Sequence, residues 1–153
     1  SPDDWRACLD GTLFVTLNAS RAALPSLRSS GRGRIINILD ADADSTDPVP
    51  FATAYKIGKR ATFTLTKTMA VTEAPHGITV NAVAPGLIET PIFQAMGISQ
   101  EEIEIAFEHY LPLTVVGRVG KPEDIANACL YLASEEASFV TGQVISPNGG
   151  YYM

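Results

Sequence analysis

Cysteine is nearly absent: only Cys8 and Cys129 occur in the 153 residues, and neither belongs to a paired motif. A disulfide is not expected; both sit in helical patterns and read as buried thiols of a reducing, cytoplasmic protein. Basic clusters are also missing, and with a net charge of -6 the chain lacks the electrostatic footprint of a nucleic-acid binder. No apolar run is long enough to span a bilayer, so no membrane partner is expected. The opening, SPDDWRACLD, is acidic and lacks a signal-peptide pattern. His76 and His109 have no companions at ligand spacing, and no metal is expected. What remains is 46% hydrophobic and 18% charged, the composition of an ordinary globular domain. One domain's length of chain can bury a substantial core.

Taken in order, residues 2 to 28 read as a helix with acids in its first turn, where the positive helix end favours them. Trp5, Leu9, Leu13 and Leu17 recur every four residues, and Leu24 and Leu27 continue the expected buried face. After the SSGRG turn, RIINIL at 34 to 39 is apolar on both faces, the pattern of a parallel strand. The loop at 40 to 50, DADADSTDPVP, is acidic, and its prolines exclude regular structure. A helix over 52 to 74 follows, with Gly58, Thr62, Leu65 and Met69 as its packed stripe. ITVNAVAP at 78 to 85 is a second strand, and 87 to 98 an irregular excursion. Helices follow at 101 to 111 and 122 to 134, the second with Pro122 in its first turn. FVTGQVIS at 139 to 146 is the last strand. Helices alternating with short apolar strands predict an α/β fold with a parallel sheet and right-handed crossovers. Three strands are few for this length and leave an exposed hydrophobic edge at 34 to 39.

The chemistry-bearing feature is Tyr55-x-x-x-Lys59, at the start of the helix over 52 to 74. Residues four apart share a helix face, so phenol and ammonium lie side by side. A neighbouring cation favours the phenolate, which turns a tyrosine into an acid–base group. The spacing alone is common on solvated helix faces; the loop before it, placed after a buried strand, is where an open α/β sheet carries its chemistry.

Together, several segments resemble the short-chain dehydrogenase/reductase family from about Trp5 to Gly150. They are GRIINI at 33 to 38, Tyr55 with Lys59, GITVNAVAPGLIETPI at 77 to 92, GRVGKPEDIANACLYLAS at 117 to 134 and FVTGQVISPNGGY at 139 to 151. The resemblance implies the second half of a doubly wound, Rossmann-type parallel sheet, with residues 1 to 153 as a single partial domain. It implies NADP or NAD as cofactor, a small-molecule carbonyl or alcohol substrate, and a homo-oligomer, tetramer or dimer. Tyr55 would be the general acid or base. Lys59 would hold the nicotinamide ribose and lower the tyrosine pKa. Pro85, Gly86, backbone at Ile88 and the Thr90 hydroxyl would line the cofactor. Asn81 would be structural.

The departures from the family pattern are specific. The glycine-rich turn after the first strand is missing from this chain, and GRG at 31 to 33 precedes a strand, so it cannot stand in. The catalytic Ser expected after the strand is replaced: the NILD pattern puts Asp40 there, while counting back from Tyr55 lands on Asp42. Ser45 is too close to Tyr55 to be the expected residue. An Asp after such a strand is similar to the pteridine-reductase branch, which would take a pterin-like C=N bond. The helical Asn of the family is Thr12, and the acid before the terminal GG is Asn148. These changes keep two other readings open: a noncatalytic homologue with a nucleotide-binding or assembly role, and an inactive fragment.

Overall fold

The computed structural model describes residues 1–41, 53–95 and 97–151, with only the backbone of Phe93 and Ala95. Asp42 and Ser45 lie outside the described residues. The chain starts in a capped helix, α1 (Pro2–Leu9), where the Ser1 hydroxyl accepts from the Asp4 N–H and the Asp4 carboxylate returns the bond. A π-helical turn at Asp10–Phe14 leads directly into α2 (Val15–Ser30). The single helix expected over 2 to 28 is thus one helical run with a widened turn in its middle. Gly31, at φ 66°, closes it in the left-handed conformation that glycine adopts without strain.

Then follow β1 (Arg34–Ile38), α3 (Thr53–Glu73), β2 (Thr79–Val83), the short α4 (Ile92–Ala95), α5 (Gln100–Tyr110), α6 (Pro122–Ala133) and β3 (Val144–Ile145). The strands form one parallel sheet in the order β1-β2-β3, with Ile36 opposite Asn81 and Ala82 opposite Val144. All five residues of β2 are buried, as its central place requires. Among the described residues β1 pairs on one side only, and Ile38 is 44% exposed there, the expected hydrophobic edge.

One core cluster joins Met69 and Ala70 of α3 to Ile78 and Val80, with Leu24, Leu27, Ile35 and Leu65 packed against it. A second, nearer the carboxyl ends of the strands, joins Leu39, Ala82 and Ala84 to Phe63 and Val144. α6 packs on β1 and β2 and buries Leu132 completely.

Three expectations are corrected. The four-residue stripe of the first helix is buried only in part: Trp5 is 43% exposed and Leu9, Leu13 and Leu17 are half-buried, while Thr12 and Ser20 are the buried residues there. The π turn adds a residue to one turn and so shifts the face that α1 presents. The last strand does not begin at Phe139, which is fully exposed. Gly142, at φ 67°, bends the chain out of extended geometry just before Val144. Cys8 and Cys129 are free but half-buried rather than buried.

Candidate functional site at the strand ends

The site is built where β1 and β2 stop. The ladder continues one step past the strands: the Leu39 N–H donates to the Val83 carbonyl at 2.8 Å and the Ala41 N–H to the Pro85 carbonyl at 3.0 Å. Asp40 is held between these two bonds, at the carboxyl end of the sheet. α3 is fastened beside it by polar links. Asn37 donates to Thr66 Oγ1 at 2.8 Å, and Lys59 Nζ donates to the Ile38 carbonyl at 2.8 Å. Thr62 and Thr66, both fully buried, satisfy their hydroxyls on the carbonyls one turn back, Gly58 and Thr62.

One turn before Lys59, the Tyr55 ring lies with its centroid 5.4 Å from the lysine ammonium. Burial pushes the Lys59 ammonium below its usual value, and the Asp40 carboxylate pulls it partly back. A lysine so placed is a positive charge held beside a phenol in a partly dry setting.

Thr12 reaches this cluster from the π turn. Its hydroxyl donates to the Cys8 carbonyl at 2.7 Å, and its own carbonyl accepts from Thr62 at 3.5 Å and Thr16 at 3.0 Å. It lies against Gly58, where a Cβ would stand 2.8 Å from Thr12 Cβ and overlap its hydroxyl. The two helical runs therefore meet at a contact that only glycine allows.

The Pro85-Gly86 turn also joins the site's frame, through the Ala41–Pro85 bond. The reason for Gly86 differs from the expected one. A Cβ there would sit 2.6 Å from Asn148 Cα, so the glycine admits the NGG segment rather than a ligand. Asn148, where the family has an acid, accepts from the Gly150 N–H at 2.9 Å and closes that turn. Asn81 is structural as expected: it donates to the Val140 carbonyl and accepts from the Gln143 N–H.

Ile88 pairs with Gly120, since Gly120 N–H donates to Leu87 and Glu89 N–H to Gly120. This pairing leaves the N–H and carbonyl of Ile88 itself directed away from Gly120. Its side chain lines a second cavity of about 170 Å³ with Pro147, Asn148 and the Arg118–Asp124 ion pair. Thr90, half-buried, lies two residues further on. The structure thus gathers Tyr55, Lys59, Asp40 and the Pro85-Gly86 turn, while the Ile88 side chain faces another cavity.

A cavity of about 190 Å³ opens at the carboxyl ends of all three strands, lined by Asp40 and Lys59 but also by Arg60, Phe63 and Ser146. Sequence reasoning put Phe63 on the same helix stripe as Tyr55 and Lys59 but assigned no role to Arg60 or Ser146. Ser146 was detectable, because it directly follows a strand whose carboxyl end belongs to the ligand side of such a sheet. No group of His, Cys, Asp and Glu able to hold a metal occurs among the described residues.

A family model described as enoyl-(acyl carrier protein) reductase matches residues 1–152. The chain belongs to the short-chain dehydrogenase/reductase family. It is 37% identical over 148 residues to the galactitol 2-dehydrogenase of Rhizobium johnstonii, covering 97% of this chain and 56% of that one. Among solved structures, a 3-oxoacyl-(acyl-carrier protein) reductase with bound NAD from Brucella melitensis superposes with a TM-score of 0.85. Its identity is 35%, over 100% of this chain and 53% of that one. A gluconate 5-dehydrogenase from Burkholderia cenocepacia, in complex with NADP and tartrate, gives 0.86 at 30% identity, over 99% and 57%. The chain therefore spans little more than half the length of these relatives, and its three-strand sheet is part of a Rossmann-type α/β architecture.

Proposed function

We propose that the intact protein is an NAD(P)-dependent oxidoreductase acting on a carbonyl or alcohol, or on a pterin-like C=N bond, with Tyr55 as general acid and base. The observation that carries this reading is the Lys59 ammonium, anchored on the Ile38 carbonyl and lying 5.4 Å from the Tyr55 ring centroid at the mouth of the sheet. The donor set suits the nicotinamide end of the cofactor: an ammonium for ribose hydroxyls, a phenol beside it, and backbone at Pro85, Gly86 and Ile88 with the Thr90 hydroxyl for the rest. When bound, NAD or NADP supplies or accepts the hydride. Tyr55 gives its proton to the substrate oxygen, or to the nitrogen of a C=N bond, in reduction and takes it back in oxidation. Lys59 stabilises the phenolate that remains. Asp40 tunes Lys59 through its charge.

The same reading makes this chain the carboxyl-terminal part of a longer Rossmann-type domain, with a glycine-rich phosphate turn elsewhere in the protein and a homo-oligomeric assembly. The one-sided pairing of β1 supports the first of these.

A noncatalytic role in nucleotide binding or assembly is favoured by one observation: the Thr12 hydroxyl is committed to the Cys8 carbonyl, where the family pattern has an amide side chain. Tyr55→Phe in the intact natural protein separates the two. On the catalytic reading, hydride transfer to a carbonyl panel is lost while NADPH or NADH binding, followed by fluorescence, persists. Turnover within about threefold of wild type would sink the assignment of Tyr55. Cofactor binding with no turnover by the wild-type protein would favour the noncatalytic role.

A further inference from the structure

Gly120 lies between two peptide groups, and the Arg118–Asp124 ion pair holds one edge of each. In the Val119–Gly120 peptide, the Val119 carbonyl accepts from Arg118 Nη1 at 3.1 Å, while the Gly120 N–H donates to the Leu87 carbonyl at 2.9 Å. In the Gly120–Lys121 peptide, the Lys121 N–H donates to Asp124 Oδ2 at 2.8 Å, while the Gly120 carbonyl accepts from the Glu89 N–H at 2.9 Å. The pair itself is two-pronged: Arg118 Nη1 and Nη2 donate to the two Asp124 oxygens at 2.7 and 2.9 Å. These bonds from Arg118 and from the Lys121 backbone hold the Asp124 carboxyl far below its usual value, so the pair stays charged. A trans peptide group is planar, so fixing one edge fixes the direction of the other. The 87–89 segment is thereby aligned from behind. The N–H and carbonyl of Ile88 face away from Gly120, and neither has a hydrogen-bond partner among the described residues.

We propose that Arg118 and Asp124 are positioning residues for the cofactor, their ion pair fixing the Ile88 N–H and carbonyl as a donor–acceptor pair for its carboxamide. The proposal rests on the oxidoreductase reading above and deepens it by naming what sets the nicotinamide end of that site. A carboxamide has a carbonyl acceptor and N–H donors, the complement of one backbone N–H beside one backbone carbonyl. Neither Arg118 nor Asp124 touches the ligand; both act through Gly120. Glycine suits that place, because a Cβ there would overlap Ile88 Cδ1 and stand 3.3 Å from the Leu87 carbonyl. The Arg118 side chain is 55% exposed, and an exposed ion pair adds little to global stability. Its loss should therefore show in ligand binding rather than in folding.

The test uses calorimetry on the intact natural protein, with three probes: NADPH or NADH, the 3-acetylpyridine form of the same dinucleotide, and the matching ADP-ribose. The acetyl form carries a methyl in place of the amide nitrogen, and ADP-ribose lacks the ring altogether. Wild type is expected to bind the amide form roughly fivefold tighter than the acetyl form, the usual worth of one neutral hydrogen bond. Arg118→Ala should reduce that ratio to below about two, while ADP-ribose binding and the urea midpoint stay as in wild type. Arg118→Lys should keep part of the ratio, since charge survives but the two-pronged geometry does not. Tyr55→Phe should keep all of it even though turnover is lost, which separates this proposal from the catalytic one. A ratio that survives in Arg118→Ala, an equal loss of ADP-ribose binding there, or no preference in wild type each overturns the assignment and leaves the oxidoreductase reading standing. Wild type that binds no dinucleotide overturns both.

Discussion

Gly58→Ala is the substitution that most directly tests how the site is assembled. In an ordinary helix interior this change stabilises by about 0.5–1 kcal/mol, because alanine orders at lower entropic cost. Here the new methyl would stand 2.8 Å from Thr12 Cβ and overlap the Thr12 hydroxyl. Thr12 has little freedom to yield. It is buried, its hydroxyl is bonded to Cys8, and its carbonyl accepts from Thr16 and Thr62. Overpacking of a tight contact costs typically about 1–3 kcal/mol, and fixed neighbours put this case at the upper end. Subtracting the helix gain leaves a net destabilisation of about 2 kcal/mol, which lowers a urea midpoint by roughly 1 M. Because Lys59 follows Gly58 directly and Tyr55 lies three residues before it, a displaced α3 should also weaken turnover. Thr12→Ala removes the hydroxyl and the methyl that meet the new group but keeps Cβ, so the double variant should recover about half the loss. The measurement is urea unfolding followed by circular dichroism on all four members of the cycle. A raised midpoint for Gly58→Ala, or strictly additive single effects, would refute the claim that the two helical runs meet at a glycine-only contact.

Other outcomes follow from the charges at the site and in the core. Asp40→Ala removes a carboxylate that holds the Lys59 pKa up, so the alkaline limb of the pH–rate profile should move to lower pH; an unmoved limb would show that the two groups do not interact. The same variant should cost activity, whereas a loss in Asp42→Ala but not in Asp40→Ala would show that spacing from Tyr55, rather than the NILD pattern, gives the right alignment. Glu73 is nearly buried and takes two bonds of 2.8 Å from Arg28, which hold its carboxyl below the usual value of 4.5. A depressed acid adds stability that is present above its unfolded pKa and lost as pH falls through its folded one. Acid unfolding should therefore steepen below about pH 4.5 in wild type and flatten in Glu73→Gln, and identical acid limbs would count against the pairing.

Much of the fold was written in local pattern. β2 is short and rich in small and β-branched residues because it is covered on both faces, and its neighbours Arg34–Ile38 and Val144–Ile145 pair with it in the parallel order that helix–strand alternation demands. The Tyr55 and Lys59 spacing needed only the helical repeat to bring the two groups together. β3 was the weak case: a β-branched run from Phe139 suggested a long strand, but one left-handed glycine, Gly142, decides where extension begins. Such a backbone angle is not encoded in hydrophobic periodicity.

What the sequence determined by itself, then, was the placing of Tyr55 beside Lys59, the parallel sheet and the family, since these depend on spacing along one element and on the order of segments. Tertiary structure alone decided which residues share the site. Gly86 proved to serve the NGG segment, Thr12 proved to lie against Gly58, and Arg60, Phe63 and Ser146 entered the same cavity as Asp40 and Lys59. The physical reason is distance along the chain. Ser146 is far from Asp40 in sequence, and only the parallel sheet, which aligns the carboxyl ends of its strands, sets their side chains around one space.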